Sequence, residues 1–351
     1  MSEPRRDGLS YALVSGHGRS GTNWLLELLD LSPQTFCRSE PSGIETSPLA
    51  KLGYDRFVHR ANQSALAEHW DDAVRWAIRH MGERDRRVTM PKRHIYRLSR
   101  ALGLYRMVRG PRYRRALSIV LPSLRGKEWI PPWFVFDRKK LDEALPVLKL
   151  VSSPGWSEYV LRHRPHVPHL HIVRHPGGYL NSWANRYRVR MDEREIQRQN
   201  ERRLNDIASE HPIWAERFGD ISAMTTDESE LWFWCYATET IDAAGCGKAA
   251  YCRIVYEKLA SEPVPMMKRI YELCGLDWSE KVERAVIAVA QDSPSIAANW
   301  RAQLTDEQLD AVERILTQSS VRNLWTDEAV ARHDFRSQRR TSGCHDPNPG
   351  S

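Results

Sequence analysis

The run VSGHGRSGTNWLLELLD, which begins at Val14, constrains the fold more than any other part of the chain. Tyr11–Ser15 is short and apolar and reads as a buried strand. Gly16, Gly18 and Gly21 supply a tight loop. From Thr22 to Leu31, Trp24, Leu25, Leu28 and Leu29 fall on or near one helical face. Thr22 is expected to cap that helix, and Ser32-Pro33 to stop it. Strand, glycine-rich loop and helix in this order bring backbone N–H groups and a helix N-terminus together on an anion.

The rest of the chain repeats the alternation. Short strands are expected at Thr35–Cys37, Pro146–Ser153, His169–His175 and Tyr251–Tyr256. Helices are expected in GGYLNSWANRYRVR, in ELWFWCYATETIDAA and in PVPMMKRIYELCGL, the last ending at Gly275. A late helix, TDEQLDAVERIL, has Thr305 as its cap and Gln308 at the capping-box position. Met191 to Asp227 reads only as a long charged stretch. The connections are long enough for crossovers, so the expected fold class is α/β, three layers, with a parallel central sheet flanked by helices. One domain is expected over residues 1–335, with a largely helical, basic insertion or cap at about 50–145. A tail rich in Gly, Pro and Ser follows at 336–351.

The loop separates two chemistries. A nucleotide-triphosphatase loop reads GxxxxGK[ST]. Gly16 and Gly21 have that spacing, but Thr22 stands in the lysine's place and Asn23 in the place of the magnesium-binding hydroxyl. A γ-phosphate therefore lacks its usual cation, which argues against a kinase.

Composition narrows the partners. The formal net charge is +7, which suits a polyanionic ligand, and much of the excess lies between Arg86 and Lys127. A solvated helical face accounts for that segment as well as a binding role does. No nucleic-acid-binding signature accompanies it, so no nucleic-acid partner is expected. No apolar run is long enough to cross a bilayer, and the N-terminus lacks the apolar core of a signal peptide, so a cytoplasmic location is expected. The six cysteines form no CxxC pair and no metal-ligand spacing, so free thiols and no metal site are expected.

GRSGTNWL resembles the 5′-phosphosulfate loop of sulfotransferases, which reads PKSGTTW in cytosolic members and PRSGTT in many membrane and bacterial ones. Arg19, Ser20, Gly21, Thr22 and Trp24 fall on this pattern, and Gly18 replaces its proline. The likeness is closer to the bacterial, tyrosylprotein and carbohydrate-type members than to the cytosolic ones. LHIVRHPGGYLNSW resembles the family's 3′-phosphate motif, VRDPRDVAVS, with Arg174 and, eight residues on, Ser182 in the matching positions. His175 replaces its aspartate, and Gly177-Gly178 replaces Arg-Asp. RIVYEKLASEP resembles the family's late strand, and AANWRAQL its C-terminal segment, where Arg301 is the candidate for a second 3′-phosphate contact.

The resemblance implies a sulfotransferase that moves the sulfuryl group of 3′-phosphoadenosine 5′-phosphosulfate (PAPS) to a hydroxyl and releases adenosine 3′,5′-bisphosphate, without a metal. Gly18, Arg19, Ser20, Gly21, Thr22 and Asn23 would hold the 5′ end of the donor. Arg174, Ser182 and Arg301 would hold its 3′-phosphate. The acceptor would be the hydroxyl of a small molecule, sugar, lipid or peptide. Such transfer moves negative charge onto the departing phosphate, where a fixed guanidinium such as Arg19 and aligned N–H donors stabilise it.

The acceptor's proton needs a base. The histidine of the KTH segment in cytosolic members, and the lysine of KTP or KDP in other relatives, are both absent from LKLVSSPGW, where Ser152 and Ser153 stand instead. Lys149 comes three residues early and reads as a sheet-face residue. In tyrosylprotein and carbohydrate sulfotransferases a glutamate follows the second strand. Glu40 lies at a like distance beyond Arg19 and is the candidate base, with Glu45 behind it. His94, His163 and His166 have no spacing that singles them out. A small-molecule P-loop kinase and a non-catalytic protein that keeps the nucleotide fold are the competing classes. The tryptophan-rich EWIPPWFVF is the candidate lining of an acceptor cleft.

Overall fold

The computed structural model describes residues 10–41, 47–51, 63–79, 143–188 and 190–325. Five strands, β1 (Ala12–Gly16), β2 (Thr35–Ser39), β3 (Leu145–Val151), β4 (His169–Val173) and β5 (Tyr251–Val255), form one sheet in the order β2-β3-β1-β4-β5. Every neighbouring pair is parallel. The helices are α1 (Thr22–Asp30), α2 (Pro48–Lys51), α3 (Gln63–Arg79), α4 (Pro154–His163), α5 (Pro176–Tyr187), α6 (Glu193–Glu210), α7 (Pro212–Phe218), α8 (Thr226–Gly245), α9 (Tyr256–Ser261), α10 (Pro263–Leu273), α11 (Glu280–Ala290), α12 (Ser293–Ala298) and α13 (Asp306–Thr317). The parallel three-layer α/β architecture read from the sequence is the one observed.

Alternation along the strands sorts the core into layers, because successive side chains point to opposite faces. Ala12, Val14, Val147, Leu170, Ile172, Cys252 and Ile254 face α1 and α10, packing on Leu25, Leu28, Leu29, Ile270 and Tyr271. Leu13, Leu148 and Leu150 face the other way, onto Trp70 of α3 and Trp156 and Tyr159 of α4. Beside them α5, α6, α8 and α13 share a cluster containing Tyr179, Trp183, Leu204, Phe233, Trp234 and Ile315. Trp70 donates its indole N–H to the Tyr11 hydroxyl at 2.9 Å, so this tryptophan serves the core. Arg38 of β2 donates to the Ile78 carbonyl at the end of α3 through Nε (3.2 Å) and Nη2 (2.9 Å). A cation there complements the negative end of the helix and ties α3 to the sheet.

The layout also fixes where a ligand can sit. From β1 the chain builds β2 and β3 on one side and β4 and β5 on the other. In open parallel sheets the crevice beyond the strand C-termini, at such a reversal, is the ligand site.

Several expectations need correction. Met191–Asp227 is not featureless: it folds into α6, α7 and the start of α8. The expectation of free thiols holds for Cys37, Cys235, Cys252 and Cys274, but Cys246 is disulfide-bonded. Thr22 does not cap α1. The cap is Gly21, in the left-handed region, and Thr22 is the first helical residue. The Thr305–Gln308 capping box is present as expected. Most of the cap at 50–145, the basic segment 86–127, the stretch EWIPPWFVF, Glu45, His94 and the tail at 336–351 lie outside the described residues. Among the described residues no helix is long and apolar enough to cross a membrane, and no cluster of metal-ligating side chains occurs.

Candidate active site

Among the described residues three other than glycine have positive φ: Arg19 (70°), Glu40 (49°) and Ser152 (50°). They follow β1, β2 and β3, at the same edge of the sheet. Left-handed conformations cost a non-glycine residue about 1–2 kcal/mol each, and strain of this kind gathers at functional sites.

Backbone and hydroxyl contacts hold the three turns together. Gly18 N–H donates to Ser152 Oγ at 3.0 Å, and Ser152 N–H donates to the Gly16 carbonyl at 3.0 Å. Ser152, which stands where relatives carry a lysine, therefore braces the first loop. Ser153 donates its hydroxyl to the Val151 carbonyl at 3.0 Å. Gly21 must be glycine: its φ is 93°, and a Cβ would lie 2.5 Å from the Tyr256 ring. Because the α1 cap makes no side-chain hydrogen bond, the first N–H groups of the helix stay open toward the loop. The Ser20 hydroxyl is buried there without a hydrogen-bond partner.

The second motif meets the first. Arg19 Nε donates to Ser182 Oγ at 3.1 Å, and Arg174 Nη1 donates to the Arg19 carbonyl at 3.3 Å. Arg174 Nη2 reaches the Ile296 carbonyl at 3.4 Å, and its guanidinium carbon lies 4.6 Å from the centre of the Tyr256 ring. Burial pushes the Arg174 guanidinium below its ordinary pKa, and Arg19 adds to the effect. A buried cation bonded only to carbonyls, beside a second cation, makes a site for an anion.

The residues that depart from the family pattern form a second layer over this arginine. His175 stacks on Trp300, with ring centroids 4.4 Å apart and planes 19° from parallel. A Cβ at Gly177 would lie 2.3 Å from the Trp300 ring, and one at Gly178 would lie 2.9 Å from Arg174 Nε. The two glycines are thus required where Trp300 and Arg174 crowd the start of α5. Glu257 accepts from His175 N–H at 3.0 Å and from the Trp325 indole at 2.9 Å. Burial raises the pKa of Glu257, and pushes that of His175 down to about 3, helped by Arg301 and Arg174. Arg301 is exposed, with its guanidinium 4.7 Å from the centre of the Trp300 ring. It joins the aromatic layer and not the Arg174–Ser182 group.

Glu40 stands at the end of β2, half-buried, and its N–H donates to the Lys149 carbonyl at 2.9 Å. Lys149 Nζ donates to Glu40 Oε1 at 3.0 Å and to Asn23 Oδ1. Lys149, which the sequence reading placed on the sheet face, thus lies among the candidate site residues. Its signal was a charge inside the otherwise apolar strand PVLKLV, where lysine is almost never buried unless paired. His163 ends α4, which starts at the site and runs about 15 Å away from it. It lies against Tyr159, with ring centroids 4.8 Å apart.

A family model described as "Sulfotransferase family" matches residues 12–280, and the chain belongs to that family. Solved structures similar to it include the sulfotransferase domain of the Synechococcus PCC 7002 olefin synthase, at 16% identity and TM-score 0.41, covering 89% of this chain and 97% of that one. The sulfotransferase domain of the curacin biosynthetic pathway is 13% identical with TM-score 0.43, covering 88% and 96%. STF1 of Mycobacterium tuberculosis is 13% identical with TM-score 0.36, covering 85% and 78%. No curated protein matches at a significant level.

Proposed function

We propose that the chain is an O-sulfotransferase that uses PAPS, with residues 1–335 as one catalytic unit. The observation that carries this reading is the meeting of Arg174 and Ser182 with the first loop, where, among the described residues, a buried guanidinium forms no salt bridge and the buried Ser20 hydroxyl has no partner. These groups fit a donor with a phosphate at each of two positions. Gly18, Arg19, Ser20, Gly21, Thr22 and Asn23 hold its phosphosulfate end. Arg174 and Ser182 hold its 3′-phosphate, and Arg301 borders that end from the Trp300 layer. The donor supplies an activated sulfuryl group when bound.

The remaining chemistry belongs to the side chains. Glu40 takes the proton of the acceptor hydroxyl as that oxygen bonds to sulfur. Arg19 and the loop N–H groups hold the charge that moves onto the departing phosphate oxygen as its bond to sulfur breaks. The products are a sulfate ester and adenosine 3′,5′-bisphosphate. No cation at position 22 is available for a γ-phosphate, so a kinase is disfavoured.

Calorimetric titration with adenosine 3′,5′-bisphosphate, and separately with ATP and magnesium, tests the reading. Saturable binding of the bisphosphate alone is expected. Binding of ATP alone would sink the proposal. Glu40→Gln should keep the bisphosphate affinity while turnover falls about 10²–10⁴-fold. If turnover is unchanged, the base lies elsewhere.

A further inference from the structure

Lys149 lies in the middle of β3, and its side chain is 1% exposed. Filling the α1 side of this strand needs only an apolar residue, as at Val147. An ammonium is instead held there, with partners on different elements that include Asn23 and Glu40. Asn23 is the second residue of α1, directly after the donor loop. Glu40 ends β2. Lys149 grips Glu40 twice, through its own carbonyl to the Glu40 N–H at 2.9 Å and through its ammonium to the carboxylate at 3.0 Å. The cation missing from the strand end, where Ser152 braces Gly18, is thus supplied from three residues deeper in the strand.

We propose that Lys149 is the positioning residue of this site, and that its ammonium sets the distance and direction of the Glu40 carboxylate relative to the donor loop. The inference rests on the O-sulfotransferase reading, since it needs Glu40 as the base. The physical requirement is strict, because a base must be held to about half an ångström by its supporting shell. Glu40 sits on a strained turn at a strand end, where the backbone alone fixes its Cα but not its carboxylate. The Lys149 bridge fixes the carboxylate and ties it to the helix that carries the loop.

The test uses the full chain and the release of adenosine 3′,5′-bisphosphate from PAPS, with 2-naphthol and with water as acceptors. Lys149→Met keeps the length of the side chain and removes the ammonium. Its kcat is expected to fall about 100-fold, the scale of a 1 Å misplacement. The KM for PAPS and the calorimetric Kd for the bisphosphate should change less than about 3-fold, because the donor contacts remain. The Glu40→Gln, Lys149→Met double variant should be no slower than Glu40→Gln alone, since a residue that acts through another adds nothing once that one is gone. Unchanged kcat in Lys149→Met, or losses that multiply in the double variant, would overturn the inference. If Lys149→Met does not fold, Lys149→Gln, which keeps a polar group in the strand without the ammonium, should show the same non-additivity with Glu40→Gln. A wild-type chain that neither binds the bisphosphate nor releases it from PAPS would overturn the functional reading itself, and leave Lys149 no base to position.

Discussion

Two arginines, Arg174 just before α5 and Arg203 on α6, both lie against an aromatic ring. Arg203, on α6, has its guanidinium carbon 3.8 Å from the centre of Phe233, and Arg174 has its own 4.6 Å from the centre of Tyr256. The Nε of each is buried without a partner. The difference lies in the anion. Arg203 pairs with the buried Glu230 at 3.0 Å and bonds Asn200 at 2.8 Å, and Glu230 in turn accepts from the Tyr179 hydroxyl at 2.5 Å. Arg174 hydrogen-bonds the carbonyls of Arg19 and Ile296, with Glu257 near enough to pull on its charge but not paired with it. One cation is paired within the fold; the other forms no salt bridge among the described residues and, on the proposed reading, meets the donor's phosphate. On that reading a structural arginine differs from a receiving one in its surroundings, since exposure is low in both.

The largest expected effect breaks the first arginine. Arg203→Ala leaves Glu230 buried beside a hydroxyl and should cost about 3–5 kcal/mol of stability. Chemical denaturation measures this, and bisphosphate affinity in the surviving folded fraction should be unchanged. Arg174→Ala should do the reverse. It removes a cation whose burial outweighs the pull of the nearby Glu257, so the melting temperature should hold or rise. The affinity for the bisphosphate should fall about 100-fold, from two charge-assisted bonds of about 1.5 kcal/mol each. Equal loss of stability in the two variants would erase the distinction.

A smaller effect comes from acid. Burial pushes His169, His171 and His175 down to about 3 from an ordinary 6.5. Below pH 6.5 the unfolded chain binds these protons and the folded chain does not, so stability is complete above 6.5. It is lost as pH falls toward 3, by up to about 1.4 kcal/mol per pH unit for each histidine. Denaturation midpoints between pH 7 and 5 should fall accordingly, and His175→Phe should flatten part of the slope. Flat midpoints in the wild type would mean that these rings are solvated.

Much of this was legible in the chain. The apolar runs and glycines around Arg19 marked β1, the loop and α1, because strand and helix periodicities are local. Arg174 and Ser182 were singled out by the resemblance of LHIVRHPGGYLNSW to the family's 3′-phosphate motif, in the expected order after the first loop. The Thr22 cap was misread because Gly21 adopts the left-handed turn and takes the capping position itself. Lys149 was misplaced because its meaning depends on register. Only when Ser39 pairs with Lys149 across β2 and β3 does Glu40 come next to the ammonium. Gly177-Gly178 reads in the sequence only as a replacement of Arg-Asp, whereas Trp300, more than a hundred residues on, fills the space above it. Pairings between distant segments are set by tertiary packing, which spacing along the chain does not report.

The three left-handed residues have a consequence for anyone seeking a hardier version of this protein. Glycine at position 19, 40 or 152 would relieve about 1 kcal/mol of backbone strain, offset in part by the extra freedom it gives the unfolded chain. A selection that rewards survival after heating and ignores turnover would be drawn toward those three positions. On the proposed reading, the clones it enriched would have discarded the loop cation, the base or the loop's brace. Heat resistance and activity would then have to be screened together from the first round.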